Sequence, residues 1–225
     1  MKKYILLTGK AWHNQLFDSL STRPNEKWIR ISIRDEFTMT RLKEIGAETI
    51  FIPHWSYIIP AEFFNSYECV VFHMTDLPYG RGGSPLQNLI IRGHKDTKIT
   101  AIRVSEGIDT GDVYLKENLL LNGTAREIFF RSASIIEKMI HKIIVNQIKP
   151  KPQEGEVTIF KRRKPDDGDL TQLKELTEIY DYIRMLDCDG YPKSFIHTEE
   201  FSFEFTNASL KPNEEVIANV RITKK

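Results

Sequence analysis

The sequence predicts an α/β protein with a mostly parallel sheet, helices on both faces and a small C-terminal α+β appendage. Short apolar runs alternate with helical patterns as far as residue 148, which is typical of strands joined by crossover helices. A proline-rich break at 149–152 then interrupts this alternation. We therefore expect one domain over residues 1–150 and a small subdomain over 151–225.

Six strands and five helices are predicted before the break. The strands are short apolar or alternating runs, and the helices have apolar residues three and four positions apart. The predicted strands are residues 4–8, 28–33, 49–52, 69–72, 98–104 and 113–121, with the first ending at Gly9 and the third at Pro53. The predicted helices are 12–20, 39–45, 61–65, 85–92 and 124–148. Thr124 and Glu127 form a capping box that begins the longest of them.

The segment after the break has a different pattern. It carries a basic run over 161–164, a predicted helix over 173–186 and two alternating segments at 201–205 and 216–222. Mixed elements of this kind predict a small α+β unit.

Composition bounds the class of protein. The chain has 225 residues, of which 40% are hydrophobic and 28% charged. Its first apolar run is shorter than the roughly 7–15 residues of a signal peptide, and no stretch approaches the roughly 20 of a membrane span. The two cysteines, Cys69 and Cys188, are far apart and fit neither a disulfide framework nor a metal site. We expect a reduced, cytoplasmic protein without a metal.

The charge balance argues against polyanionic partners. The formal net charge is +1, which provides no strong field for tRNA or a membrane surface. We therefore predict no nucleic-acid partner and no membrane partner. The oligomeric state stays open, with a homodimer as one alternative.

His73 and Asp112 form a candidate acid–base pair. The apolar run 69–72 places His73 at the end of a strand, beside a loop rich in glycine and proline. A second tight turn, which requires Gly111, delivers Asp112. A histidine oriented by a carboxylate is a common acid–base pair near neutral pH.

The residues around this pair resemble those of a known family. The strings are His73-x-Thr75-x-Leu77-Pro78-x-x-Arg81-Gly82-x-x-Pro85 and Asp109-Thr110-Gly111-Asp112. Together they resemble the signature of the N10-formyltetrahydrofolate-dependent formyltransferases, over residues 1 to about 150. The loop 56–60 also resembles the pterin-pocket loop of that family.

The resemblance implies a donor and, through the tail, an acceptor. The implied donor is N10-formyltetrahydrofolate. Residues 160–168 and 183–192 are similar to the C-terminal region of the sugar N-formyltransferases. We therefore expect a nucleotide-linked amino sugar as acceptor, in the synthesis of surface glycans. The alternatives are another small amine acceptor and a degenerate homologue that binds folate or sugar without chemistry.

The resemblance also implies catalytic roles. His73 takes the proton of the attacking amine or stabilises the oxyanion, and Asp112 orients it. Members of the family usually have an asparagine two residues before the histidine, whereas this chain has Val71, which cannot donate. We predict that His54 takes over this donor role.

Further residues are implied to bind donor and acceptor. The donor pocket is predicted to contain Trp55, Tyr57, Ile58, Ile59, Ile108, Asp109 and Thr110. The acceptor is predicted to contact His13, Asn14, Arg81, Lys161, Arg162 and Arg163. Structural roles remain open for these residues: core packing for the aromatic residues, a turn for Asp109, helix capping for His13 and Asn14, and a solvated face for the basic run.

Overall fold

The strands and helices follow from a computed structural model that describes residues 1–212 and 215–225. The strands are β1 Lys2–Thr8, β2 Glu26–Ile31, β3 Thr49–His54, β4 Glu68–His73, β5 Arg81–Gly82, β6 Asp96–Arg103, β7 Val113–Leu120, β8 Ile159–Phe160, β9 Ser194–His197, β10 Phe201–Lys211 and β11 Glu215–Lys224. The α-helices are α1 Asn14–Ser21, α2 Met39–Ile45, α3 Ala61–Ser66, α4 Pro85–Ile91, α5 Ala125–Val145 and α6 Leu176–Leu186.

The main sheet has six strands in the order β2-β1-β3-β4-β6-β7. The first four of these are parallel to one another, and β4 and β6 are antiparallel. The carboxyl ends of the parallel strands therefore meet at one edge, where Thr8, His54 and His73 are the last residues of β1, β3 and β4. Ligands of open α/β sheets bind at such an edge.

Two compact units interleave along the chain. The first contains Met1–Gly82, Thr97–Leu119 and Phe130–Ile159, and the second contains Gly83–Asp96, Leu120–Phe129 and Phe160–Lys225. Neither unit is a continuous segment, and the division at residue 150 into catalytic domain and appendage stays a prediction.

The apolar runs that predict the strands also form the core of the first unit. Ile5, Leu7, Ile50 and Ile52 are at most 1% exposed, because parallel strands are covered on both faces. Local chemistry sets the ends of α2: the Thr38 hydroxyl accepts from the Arg41 N–H, and Gly46 leaves the helix at a φ of +65°.

The second unit contains α6 and a three-stranded antiparallel sheet in the order β11-β10-β9. Its Arg184 is 4% exposed and donates from Nη1 to the carbonyls of Leu121 and Gly123 at 2.6 and 2.9 Å. These bonds satisfy a buried charge that would otherwise be costly.

The predicted fold class is confirmed, with shifts at element ends. A 3-10 turn at Ala11–His13 precedes α1, so α1 begins at Asn14, two residues after the predicted start at residue 12. Strand β2 lies two residues before the predicted 28–33. The capping box is present, since the Glu127 carboxylate accepts from the Thr124 N–H at 2.7 Å. Within residues 1–212 and 215–225, no helix is both long and apolar enough to cross a bilayer.

Candidate active site

His73 is held at the carboxyl end of β4 by the loop that follows it. Its ring is 8% exposed, and Nε2 lies 2.8 Å from the Gly80 carbonyl oxygen. That loop is fixed in turn by Thr100, whose hydroxyl donates to the Thr75 carbonyl at 2.6 Å and accepts from the Leu77 N–H at 3.3 Å. Because a carbonyl oxygen only accepts, Nε2 carries the hydrogen of its contact.

Asp109, rather than Asp112, is the carboxylate beside His73. Its Oδ2 lies 3.4 Å from Nδ1 of His73 and accepts from the Gly82 N–H at 2.9 Å. Asp112 instead uses its backbone carbonyl to accept from the Arg103 N–H at 2.8 Å, at the start of β7. The structure therefore corrects the predicted His73–Asp112 pair.

Backbone conformation explains this correction. Asp109 has a φ of +55°, in the left-handed region that aspartate tolerates better than most residues. Gly111 passes so close to β6 that an added Cβ would lie 1.7 Å from the Arg103 carbonyl oxygen. The tight turn thus directs the Asp109 carboxylate toward β5 and places the backbone of Asp112 beside β6.

The side chain of Gln153 joins this turn to Arg81. Its Nε2 donates to the carbonyls of Asp109 and Gly111, both at 2.8 Å. Its Oε1 accepts from Nε and Nη2 of Arg81 at 3.2 and 2.8 Å. Arg81, predicted to contact the acceptor, is thus bound to a neighbouring side chain. Gln153 was missed from the sequence because it directly follows the proline-rich break at 149–152, where no functional pattern was predicted.

His54 and Val71 lie close to His73 in the sheet. Val71 is two residues before His73 and packs against the apolar core. His54 ends β3, the strand next to β4, and its ring meets the edge of Trp12 at 5.6 Å between centroids. This placement keeps His54 as the predicted substitute for the missing amide.

A cavity of about 550 Å³ opens at the carboxyl ends of β1, β2 and β3. Trp55 and Tyr57, two predicted pterin walls, line it together with His54. Trp55 also packs against the core, as does Ile59, so the alternative of core packing holds for both. The lining includes Gly9, Lys10, Ser32, Ile33, Arg34, Asp35 and Ser56.

The remaining predicted donor contacts lie at exposed turns. Ile58 and Ile108 are 84% and 64% exposed, so neither side chain belongs to the core. The Thr110 hydroxyl donates to the Glu106 carbonyl at 2.6 Å and so stabilises its own turn.

His13 and Asn14 each contact a neighbouring side chain of the first unit, His13 in the interior and Asn14 at the surface. His13 is 1% exposed, and its Nδ1 lies 2.9 Å from the Thr8 hydroxyl. Burial, followed by the charges of His54, Arg30 and Lys10, lowers the pKa of His13 to about 3. Asn14 accepts from the Arg30 guanidinium at 2.6 Å. The His13 side chain makes no capping hydrogen bond to the helix, in contrast to the structural alternative, and contact of these residues with the acceptor stays a prediction.

The basic run 161–164 makes contacts within the second unit. The Lys161 carbonyl accepts from the Asn88 amide at 2.9 Å. Gly83 allows close approach of Arg162, since an added Cβ would lie 2.5 Å from the Arg162 Cβ. The Arg163 guanidinium donates to the Asp167 carbonyl and lies 5.2 Å from the Tyr182 ring centre. Phosphate binding by this run stays a prediction.

Comparison with known proteins identifies the family. The Formyl transferase family matches residues 14–128, and the family described as the methionyl-tRNA formyltransferase C-terminal domain matches residues 165–223. N10-formyltetrahydrofolate is the formyl donor of the Formyl transferase family, which confirms the predicted cofactor.

The relatives correct the predicted acceptor. The chain is 28% identical to a methionyl-tRNA formyltransferase of Thermodesulfovibrio yellowstonii, covering 68% of this chain and 52% of that protein. It is also 28% identical to one of Francisella philomiragia, covering 85% and 64%. The chain thus spans about half to two thirds of the length of these curated relatives.

A solved structure agrees with these relatives. The structure of a methionyl-tRNA formyltransferase from Clostridium thermocellum is 47% identical, has a TM-score of 0.97 and covers all of both chains. The predicted sugar branch, nucleotide-sugar acceptor and absence of a nucleic-acid partner were therefore wrong. Net charge averages over the whole chain and does not exclude a local contact with tRNA. The chain belongs to the Formyl transferase family.

Proposed function

We propose that this chain transfers the formyl group of N10-formyltetrahydrofolate to the amine of methionyl-tRNA. The support is the 47% identity, over the whole of both chains, to a structure that bears that name. A C-terminal domain family named for the same enzymes matches the tail. The observation that carries the chemistry is the contact between His73 and Asp109.

The pair His73–Asp109 serves as the proton acceptor of the reaction. As the acceptor amine bonds to the formyl carbon, it must lose a proton, and His73 takes up that proton at Nδ1, which faces the carboxylate. A ring with hydrogens on both nitrogens then has an oxygen acceptor at each, Asp109 and Gly80. The bond between the formyl carbon and N10 breaks, and N10 receives one proton in return, so that the protons balance.

The cavity at the ends of β1, β2 and β3 suits a flat ligand. A pterin is flat with polar edges, and the cavity is lined by the rings of Trp55 and Tyr57 together with polar side chains, among them Arg34, whose guanidinium lies 4.8 Å from the Tyr57 ring centre. The donor supplies a formyl carbonyl that becomes an oxyanion when it is attacked. We assign the stabilisation of that oxyanion to His54, because Val71 cannot donate a hydrogen bond.

Lys10 and Arg34 suit the phosphates of the acceptor end of tRNA. Both line the same cavity, and contacts to phosphate position a nucleic acid without reading its sequence. The formal net charge of +1 makes such local contacts more important, because the chain as a whole attracts tRNA only weakly.

The direct test supplies labelled N10-formyltetrahydrofolate together with methionyl-tRNA and recovers the amino acid after deacylation. We expect labelled N-formylmethionine, and no label on uncharged tRNA or on methionyl-tRNA whose amine is acetylated. The proposal fails if no N-formylmethionine forms at any salt concentration, while a methionyl-tRNA formyltransferase added to the same mixture produces it.

A further inference from the structure

We infer that Gln153 is a positioning residue that sets the geometry of the His73–Asp109 pair, an inference that rests on the proposed function. Gln153 touches neither ring nor carboxylate directly. It acts first through the turn that carries Asp109, because its amide binds the backbone of that turn. It acts second through Arg81, because the next residue, Gly82, donates its N–H to the Asp109 carboxylate.

The position of Gln153 is fixed by its own chain segment. Two residues earlier, Lys151 exchanges backbone hydrogen bonds with Val113 at 2.7 and 2.9 Å. This bridge aligns the segment with the start of β7, directly after the tight turn. The Gln153 amide is thereby held at the turn by backbone pairing, without relying on burial of the side chain.

The turn depends on this amide because apolar packing does little to hold it. Glu106, Gly107 and Ile108 are exposed, and Asp109 adopts a left-handed conformation. Strain of this kind persists only where surrounding bonds maintain it. The two bonds from Nε2 fix the carbonyls on either side of Thr110 and so fix the direction of the Asp109 side chain.

The amide oxygen of Gln153 fixes the segment 80–82, which contacts His73 at its Nε2. Gly80 accepts from Nε2 of His73, and Gly82 donates to Asp109. Arg81 lies between these two residues and binds Oε1 of Gln153 through two nitrogens. One neutral side chain therefore connects both supports of the catalytic ring.

The chemistry specifies an amide at this position. A glutamate has the same shape and would retain the contact with Arg81, but it has no N–H for the two carbonyls. The second carboxylate oxygen of the glutamate would instead face the carbonyl oxygens of Asp109 and Gly111. All three atoms are hydrogen-bond acceptors, so no hydrogen bond could form between them. Gln153→Glu thus breaks one half of the connection, and Arg81→Met breaks the other half.

The experiment compares Gln153→Glu, Gln153→Met and Arg81→Met with the wild type in formyl transfer. We expect both Gln153 variants to lower kcat by about 10²-fold, because a displacement near 1 Å at reacting groups has that effect. KM for donor and acceptor should change by no more than about twofold, since no binding contact is removed. Arg81→Met should lower kcat less than either Gln153 variant.

A pH profile separates positioning from general structural damage. With Asp109 drawn away from His73, the acid limb of kcat/KM should change position in Gln153→Met, because the ring no longer faces the same carboxylate. Gln172→Glu is the matched control: it makes the same change at an exposed residue whose amide donates to Thr171. That control should retain the wild-type kcat and profile.

The outcomes separate the two claims. If the wild type formylates methionyl-tRNA and the Gln153 variants retain its kcat and acid limb, the role of Gln153 is refuted and the proposed function stands. If the wild type does not formylate methionyl-tRNA, the proposed function fails. An NMR titration of the His73 ring then decides the inference: a midpoint that differs between wild type and Gln153→Met supports it, and an identical midpoint overturns it.

Discussion

Two histidines lie at the same edge of the main sheet, and their surroundings differ in chemistry. His13 follows β1 and His73 ends β4, and they are 1% and 8% exposed. His13 has a hydroxyl partner, Thr8, at 2.9 Å. His73 has the Asp109 carboxylate at 3.4 Å and the Gly80 carbonyl at 2.8 Å.

The surrounding charges give the two rings different capacities. His13 is near Arg30, Lys10 and His54, and burial together with these groups lowers its pKa to about 3. It therefore stays neutral near pH 7 and holds the first loop in place. His73 faces a carboxylate, which can stabilise a proton taken up from the reaction. Burial at the ligand-binding edge thus does not identify a catalytic histidine, whereas the partner atom does.

The largest expected effect comes from removing the catalytic ring. His73→Ala should lower kcat by about 10²–10⁴-fold, the usual contribution of general acid–base catalysis. His13→Asn, which retains an acceptor for Thr8, should retain kcat within about tenfold at pH 7. Single-turnover formyl transfer measures both. If His13→Asn lowered kcat as much as His73→Ala, the two histidines could not be distinguished by their role in catalysis.

A smaller loss is expected at His54. His54→Ala should lower kcat by on the order of 10²-fold, in the range found for removal of an oxyanion donor. His54→Asn restores an amide donor on the same strand end and should recover part of the rate. Steady-state kinetics with saturating donor and acceptor measure these changes. If His54→Ala left turnover unchanged, His54 would not be the residue that stabilises the oxyanion.

The smallest effect is one on stability at low pH, and it belongs to His13. In the unfolded chain this histidine titrates near its ordinary pKa of 6.5, whereas in the folded protein the pKa is about 3. The unfolded state therefore binds more protons between these values, and stability falls as pH falls below 6.5. From pH 6.5 to 4.5 the wild type should lose about 2 kcal/mol more unfolding free energy than His13→Asn.

Urea denaturation at the two pH values measures that difference. Equal losses in wild type and His13→Asn would show that His13 is protonated as easily in the folded protein as in the unfolded chain. The contrast with His73 would then disappear.

The fold and the position of His73 were predictable from local pattern. Apolar runs of four to six residues gave the parallel strands, and the run ending at Phe72 placed His73 at the ligand-binding edge. The pattern works here because strand burial and strand direction both follow from the sequence.

The partners of His73 were not predictable in the same way. The choice between Asp109 and Asp112 depends on a positive φ and on the approach of Gly111 to Arg103, which only the folded chain shows. Gln153 is distant in sequence from both residues that it connects. The amino-sugar acceptor was wrong because it depended on a resemblance of the C-terminal segment alone. The absence of a nucleic-acid partner was wrong because net charge carries no information about where charges lie.

The central claim is that Asp109, and not Asp112, supports the catalytic ring. The most direct measurement is kcat for Asp109→Asn and Asp112→Asn in the same formyl-transfer assay. We predict a fall on the order of 10²-fold for Asp109→Asn, because the carboxylate beside His73 is lost, and a change within about threefold for Asp112→Asn. A large fall in Asp112→Asn with near wild-type activity in Asp109→Asn would contradict it.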